Sequence, residues 1–192
     1  VRRTTVPRWA AFGAAVTLAT LVIILDRGSK LWAEQLLVDG PQPWLPGFIE
    51  LRLAYNTGAA WGIFSGAQPV FLVIAALTIL VALAYLFSQK GHPPLVVVGL
   101  GLFIGGSSGN ALSRLMDGHV VDFLRFQFIE FPIFNLADIG ITLGVGLLLL
   151  AIIISMLQPK QSPAASHQQV DTDLPTIGAS EEHPKASDQT VV

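Results

Sequence analysis

Two aspartates beside apolar segments are the residues best suited to chemistry in this sequence. Asp122 closes Asp117-Gly118-His119-Val120-Val121-Asp122, and Asp138 stands in Phe134-Asn135-Leu136-Ala137-Asp138, ahead of a long apolar run. Carboxylates next to membrane-like segments are costly and tend to be functional. If the two meet, both cannot ionise freely, so one pKa rises and the pair shares a proton. One carboxylate can then take a proton from water while the other donates to a carbonyl oxygen, which is hydrolysis without a metal. The structural alternative is that Asp138 caps a helix, where Asp is favoured, and that Asp122 faces water.

Other polar residues fall at informative spacings. Asp26 and Lys30 are four apart and would share a helix face. Such a pair reads as structural, bracing the loop that follows. In Asn56-Thr57-Gly58-Ala59-Ala60-Trp61-Gly62, Gly58 allows a tight turn and Asn56 offers an amide to a peptide backbone or a carboxylate. Asn110 and Arg114, again four apart, could hydrogen-bond the two carboxylates and hold them in place.

Several chemistries are excluded or unsupported. The sequence has no cysteine, which removes disulfides, thiolate metal sites and cysteine nucleophiles. Its four histidines, at 92, 119, 167 and 183, lack paired metal-ligand spacing, so neither metal nor cofactor is expected. His119 with Ser107, Ser108 or Ser113 has no nucleophile-elbow pattern. Gly28-Ser29-Lys30 is not a phosphate loop. A net charge of -2 argues against a nucleic-acid partner.

The elements that must position these residues are membrane helices. The 192 residues are 52% hydrophobic and only 12% charged. That charged share is about half the roughly 25% typical of soluble domains. Apolar runs occupy Trp9–Leu25, Val70–Phe87, Leu95–Leu112 and Ile139–Leu157, at 17, 18, 18 and 19 residues. Crossing a bilayer takes about 17–25. The runs predict four transmembrane helices, at about 9–27, 69–87, 94–113 and 137–157, with outer loops at 28–68 and 114–136. Arg2, Arg3 and Arg8 precede the first run, but no small-x-small cleavage pattern follows it, so it reads as a retained helix rather than a leader. Lysine and arginine placement points to both termini in the cytoplasm. Gly101, Gly105 and Gly109, like Gly140 and Gly144, recur every four residues and read as helix packing.

Within the first outer loop, polar Glu50 and Arg52 alternate with Ile49, Leu51, Leu53 and Tyr55, which is strand periodicity. Pro41, Pro43, Pro46 and Gly47 mark turns before it. With Trp32, Trp44 and Trp61 nearby, the loop reads as a small sheet on the bilayer surface, followed by a short interfacial helix. Residues 158–192 carry five acids and two lysines among Ser, Gln, Pro and Thr, and read as an acidic, disordered cytoplasmic tail. The fold class is therefore mainly α and integral to the membrane. On these residues alone a small transporter or proton channel competes with a hydrolase.

Taken in order, Asp26-x-x-x-Lys30, Asn56-Thr57-Gly58-Ala59-Ala60-Trp61-Gly62, Gly105-Gly106-x-x-Gly109-Asn110, Arg114, Val120-Val121-Asp122-Phe123 and Phe134-Asn135-x-Ala137-Asp138 resemble the lipoprotein signal peptidases, or signal peptidase II, from about residue 9 to 157. The resemblance implies a four-helix aspartic peptidase of the bacterial cytoplasmic membrane, active near the outer face. Its partners would be membrane lipid and a diacylglyceryl-modified prolipoprotein, cut before the lipidated cysteine. It implies Asp122 and Asp138 as the catalytic dyad. Asn56, Gly58, Asn110, Arg114, Asn135 and Ala137 would line or support the site, and globomycin-type cyclic peptides would inhibit it. Two positions depart from the pattern: Ser113 stands where the family often has Asp, and Ile139 where it often has Ser.

Overall fold

A computed structural model describes residues 4–58 and 66–158. Four helices, each long and apolar enough to cross a membrane, dominate it: α1 (Arg8–Leu36), α2 (Gln68–Ser88), α3 (Pro94–Asp117) and α4 (Leu136–Leu157). Both α2 and α3 carry a proline in the first turn, where the missing N–H costs nothing. α3 ends on Gly118, whose φ of 73° is the left-handed geometry glycine adopts without strain.

The centre of the bundle is α3. In its most apolar stretch 56% of residues are buried, against 22% in α1 and 11% in each of α2 and α4. It packs on α1 and α4 through small residues. A Cβ on Gly105 would lie 2.9 Å from the Ala19 carbonyl oxygen, and one on Gly144 would lie 2.7 Å from that of Gly99. Ala11, Ala15 and Ala19 supply the facing stripe on α1. Backbones this close gain dispersion contacts that lipid does not offer. The outward faces carry Leu21, Val73, Leu80, Leu149 and Ile153, each half or more exposed, as a lipid-facing surface requires.

At one end of the bundle sits an antiparallel sheet in the order β2 (Gln42–Leu45), β3 (Ile49–Asn56), β5 (Val120–Phe126). Ile49 pairs with Phe126 and Leu51 with Leu124; beyond an irregularity, Ala54 pairs with Asp122 and Asn56 with Val120. Leu51, Phe123 and Leu124 bury against Ala33 and Leu37, tying the sheet to the end of α1. At the opposite end, two-residue strands β1 (Val6–Pro7) and β4 (Gly91–His92) pair antiparallel.

The mainly helical fold class with four apolar helices and a small sheet is what the structure shows, and two of the helices run longer than the apolar runs suggest. α1 continues to Leu36 instead of stopping near 27, and α3 to Asp117 instead of 113. The added turns carry charges that find partners: Asp26 pairs with Lys30, and Arg27 with Asp117. The outer loops shorten accordingly. The expected interfacial helix after the strand falls largely on 59–65, and the acidic tail on residues from 159 onward; both lie outside the described residues.

Candidate active site

Asp122 is placed by β5. Val120, Val121, Phe123 and Leu124 around it are buried, so the strand is fixed on both faces and the carboxylate is carried inward, 3% exposed. Asp138 is placed by the first turn of α4. Asn135 is the N-cap: its Oδ1 accepts the Asp138 backbone N–H at 3.1 Å, and Asp138 Oδ2 accepts the Asn135 N–H at 3.1 Å. This reciprocal pair is a capping box built from Asn and Asp. The helix-capping alternative for Asp138 and its place in a polar site are therefore compatible. One oxygen starts the helix, and the other accepts from Asn110 Nδ2 at 2.8 Å.

Three asparagines surround the two carboxylates. Asn135 Nδ2 donates to Asp122 Oδ1 at 2.7 Å, so the cap of α4 also touches the carboxylate on β5. Asn56 Nδ2 donates to Asp122 Oδ2 at 3.0 Å. The Asn56 amide is oriented by the Gly58 backbone N–H, which donates to its Oδ1 at 2.9 Å and uses the tight turn there. Asn110 Oδ1 accepts from Asn135 Nδ2 at 3.2 Å and from Lys30 Nζ at 2.9 Å, which turns its Nδ2 toward Asp138.

Beneath this layer lies the α1 pair. Asp26 and Lys30 are 1% and 0% exposed and 2.7 Å apart. Lys30 spends its three protons on Asp26, Asn110 and Ser113, the last at 3.1 Å. Asp26 Oδ1 accepts the Ala137 N–H at 3.0 Å, satisfying a free donor at the start of α4. Gly109 lets α1 approach, since a Cβ there would lie 2.6 Å from Asp26 Oδ2. The pair thus faces α3 and α4 rather than bracing the loop. Ala137 contributes its backbone, not its methyl.

Asp122 and Asp138 line one cleft of about 330 Å³, with Asn56, Gly58, Asn110 and Arg114 on its walls. Burial, and then the neighbouring negative charge of Asp138, push the Asp122 carboxyl up to about 6; the bonds from Asn56 and Asn135 oppose the shift. A carboxyl that holds its proton into the mildly acidic range beside a second carboxylate is suited to pass protons in both directions. Arg114 is in the cleft but does not bond either carboxylate. Its Nη2 donates to Gly58 O at 2.9 Å, its Nη1 to Asn110 O at 3.4 Å, and its guanidinium lies 5.0 Å from the Phe71 ring centre.

Sequence reasoning missed two contributors. Phe71 opens α2 and carries no polar signal. Ser113 stood out only as an unsupported nucleophile candidate and as a departure from a pattern, although its place three residues after Asn110 puts it on the same face of α3. His119 packs on Tyr55 and does not line the cleft. Among the described residues no cluster of three or more His, Cys, Asp and Glu is placed to hold a metal.

A family profile described as signal peptidase (SPase) II matches residues 18–154. A lipoprotein signal peptidase of Symbiobacterium thermophilum is 38% identical over 143 residues, 73% of this chain and 94% of that protein. One from Clostridium tetani is 38% identical over 142 residues, covering 72% and 91%. Among solved structures, a bacterial membrane enzyme determined by the in meso method at 2.3 Å superposes with a TM-score of 0.73 at 28% identity, over 78% of this chain and 93% of that one. A second, at 1.9 Å, gives 0.66 at 30% identity, over 77% and 95%.

Proposed function

The chain belongs to the signal peptidase II family, and from that premise we propose that Asp122 and Asp138 are its catalytic dyad, cutting diacylglyceryl-modified prolipoproteins before the lipidated cysteine. The observation that carries this reading is Asn135, one buried amide that caps the helix bearing Asp138 and bonds the carboxylate of Asp122. It couples two carboxylates from separate elements across a single cleft.

The mechanism follows from a shared proton. The ionised carboxylate takes a proton from a water held between the pair, and the water oxygen attacks the scissile carbonyl carbon. The protonated partner donates to the carbonyl oxygen. Collapse of the tetrahedral species breaks the C–N bond, returns the oxygen's proton to the dyad and releases the cysteine amine with a proton. The walls of the cleft restrict bulk water, which strengthens each of these interactions.

The rest of the fold suits such a substrate. A second, largely apolar cleft of about 920 Å³ is lined by α2, α3 and α4, Leu77 and Val81 facing Leu148 and Ile152 across it. It lies along α3, toward its start, and is shaped for the apolar helix of a signal peptide. The lysine and arginine distribution supports a bacterial inner-membrane protein with both termini in the cytoplasm and the dyad near the outer face. The asparagine-lined cleft is also where a globomycin-type cyclic peptide would block the site. A proton channel would need ionisable groups along the span, whereas α2 has no charged residue and α4 has only Asp138, in its first turn.

The test is cleavage of a diacylglyceryl-modified prolipoprotein by the purified full chain in detergent. Wild type should cut with or without chelator, and Asp122→Asn and Asp138→Asn should not. Folded wild type that fails to cut, or either variant retaining wild-type rates, would overturn the assignment.

A further inference from the structure

The Arg114 guanidinium holds one donor, Nε–H, that no described residue accepts. Its Nε is buried and has no hydrogen-bond partner among the described residues, although Nη1 and Nη2 are engaged with Asn110 O and Gly58 O. A buried donor without an acceptor is expensive to keep. Arg114 is one of the residues that line the cleft containing Asp122 and Asp138. Phe71 stacks on the guanidinium and Gly58 O accepts from Nη2, so the plane of the fork is set before any ligand arrives. Nη2 has a second proton. Together Nε–H and that N–H form the side-on edge of the guanidinium, which matches two oxygens of one carboxylate.

We propose that Arg114 is a product-binding residue, its side-on edge seating the carboxylate that the cut creates at the C-terminus of the departing signal peptide. The inference rests on the peptidase reading and deepens it. Before the cut, the acyl group offers one neutral carbonyl oxygen. Water then contributes its hydroxyl to the carbonyl carbon, the C–N bond breaks, and the amine leaves with a proton. The new carboxylic acid ionises near neutral pH and presents two anionic oxygens. The cleft therefore holds the released peptide more tightly through its new end than it held the uncut chain at that point. Replacement of the product by the next substrate becomes a step the residue controls.

The test uses a fluorophore-labelled apolar peptide made twice, once with a free C-terminal carboxylate and once as the C-terminal amide. Each is bound to the full chain in detergent at neutral pH and read by fluorescence anisotropy. The carboxylate form should bind wild type about tenfold more tightly, as a charge-assisted pair of hydrogen bonds provides. Arg114→Lys keeps the cation but loses the fork, and Arg114→Gln loses both; in each the preference should shrink to about twofold or less. Equal binding of the two peptides to wild type overturns the proposal, as does a preference that survives in Arg114→Lys. If Arg114→Gln does not fold, the wild-type comparison and Arg114→Lys still decide. Failure of the peptidase reading looks different: prolipoprotein stays uncut whatever the peptides do. Equal peptide binding with cleavage intact sinks only the carboxylate seat.

Discussion

At the end of the bundle that carries Asp122 and Asp138, α1, α3 and α4 meet through buried polar groups, with hydrogen bonds running from one helix to the next. At the opposite end the same helices meet through Ala11, Ala15, Gly99 and Gly144, and the chain is tied by a two-residue strand pair and by Arg8 reaching the Phe87 carbonyl. Alkyl and small-residue packing fixes distance but tolerates rotation and slip. Hydrogen bonds between charged and amide groups fix direction. The molecule uses packing where it needs only cohesion and directional bonds where carboxylates must be aimed, and it accepts the desolvation cost of a buried ion pair there.

Substitutions at the two ends can break or sharpen this contrast. The largest expected effect is on turnover. Asp122→Asn or Asp138→Asn should lower the cleavage rate by about 10²–10⁴-fold with the helices intact by circular dichroism. Exposed Ser88→Ala, at the opposite end, should leave the rate within about twofold. Lys30→Met comes next. It leaves the Asp26 charge buried without its partner, and chemical unfolding in mild detergent should show a loss of about 3–5 kcal/mol.

Asp122 adds a pH dependence. Its folded value, about 6, lies above the 3.8 of the free side chain. The folded state therefore binds the proton more tightly. The resulting stabilisation is fully present below the unfolded value and is lost as pH rises through about 6. Thermal unfolding should show stability rising as pH falls from 7 toward 4, by up to about 3 kcal/mol, with that component absent in Asp122→Asn.

The smallest contrast is between glycines. Gly109→Ala pushes a methyl to 2.6 Å from Asp26 Oδ2 and should cost about 1–3 kcal/mol, together with activity. Gly146→Ala on α4 meets nothing within 4 Å and should be neutral or stabilise by up to about 1 kcal/mol. Equal losses at the two glycines would remove the distinction between the ends.

How much of this was legible in the sequence follows the same division. Helices whose formation depends on hydropathy were visible as apolar runs. The strand Ile49–Asn56 was visible because part of it meets solvent and its residues alternate. β5 was not visible, because burial on both faces leaves no alternation, and Pro43 hid β2, an edge strand that tolerates it. The last turns of α1 were obscured by charges whose partners lie 80 or more residues away. The candidate site residues came from ordered motifs. Their wiring did not: nothing in the spacing says that Lys30 orients Asn110, that Ala137 serves through its backbone, or that Arg114 bonds Gly58 O and Asn110 O instead of the carboxylates.

The cap of α4 has one more consequence. Asn135 and Asp138 complete the helix's first turn with the same atoms that assemble the carboxylate pair, and Ala137 closes the turn only by reaching α1. The pairing of the two carboxylates and the docking of the fourth helix on α1 therefore depend on the same few hydrogen bonds, so neither is complete without the other.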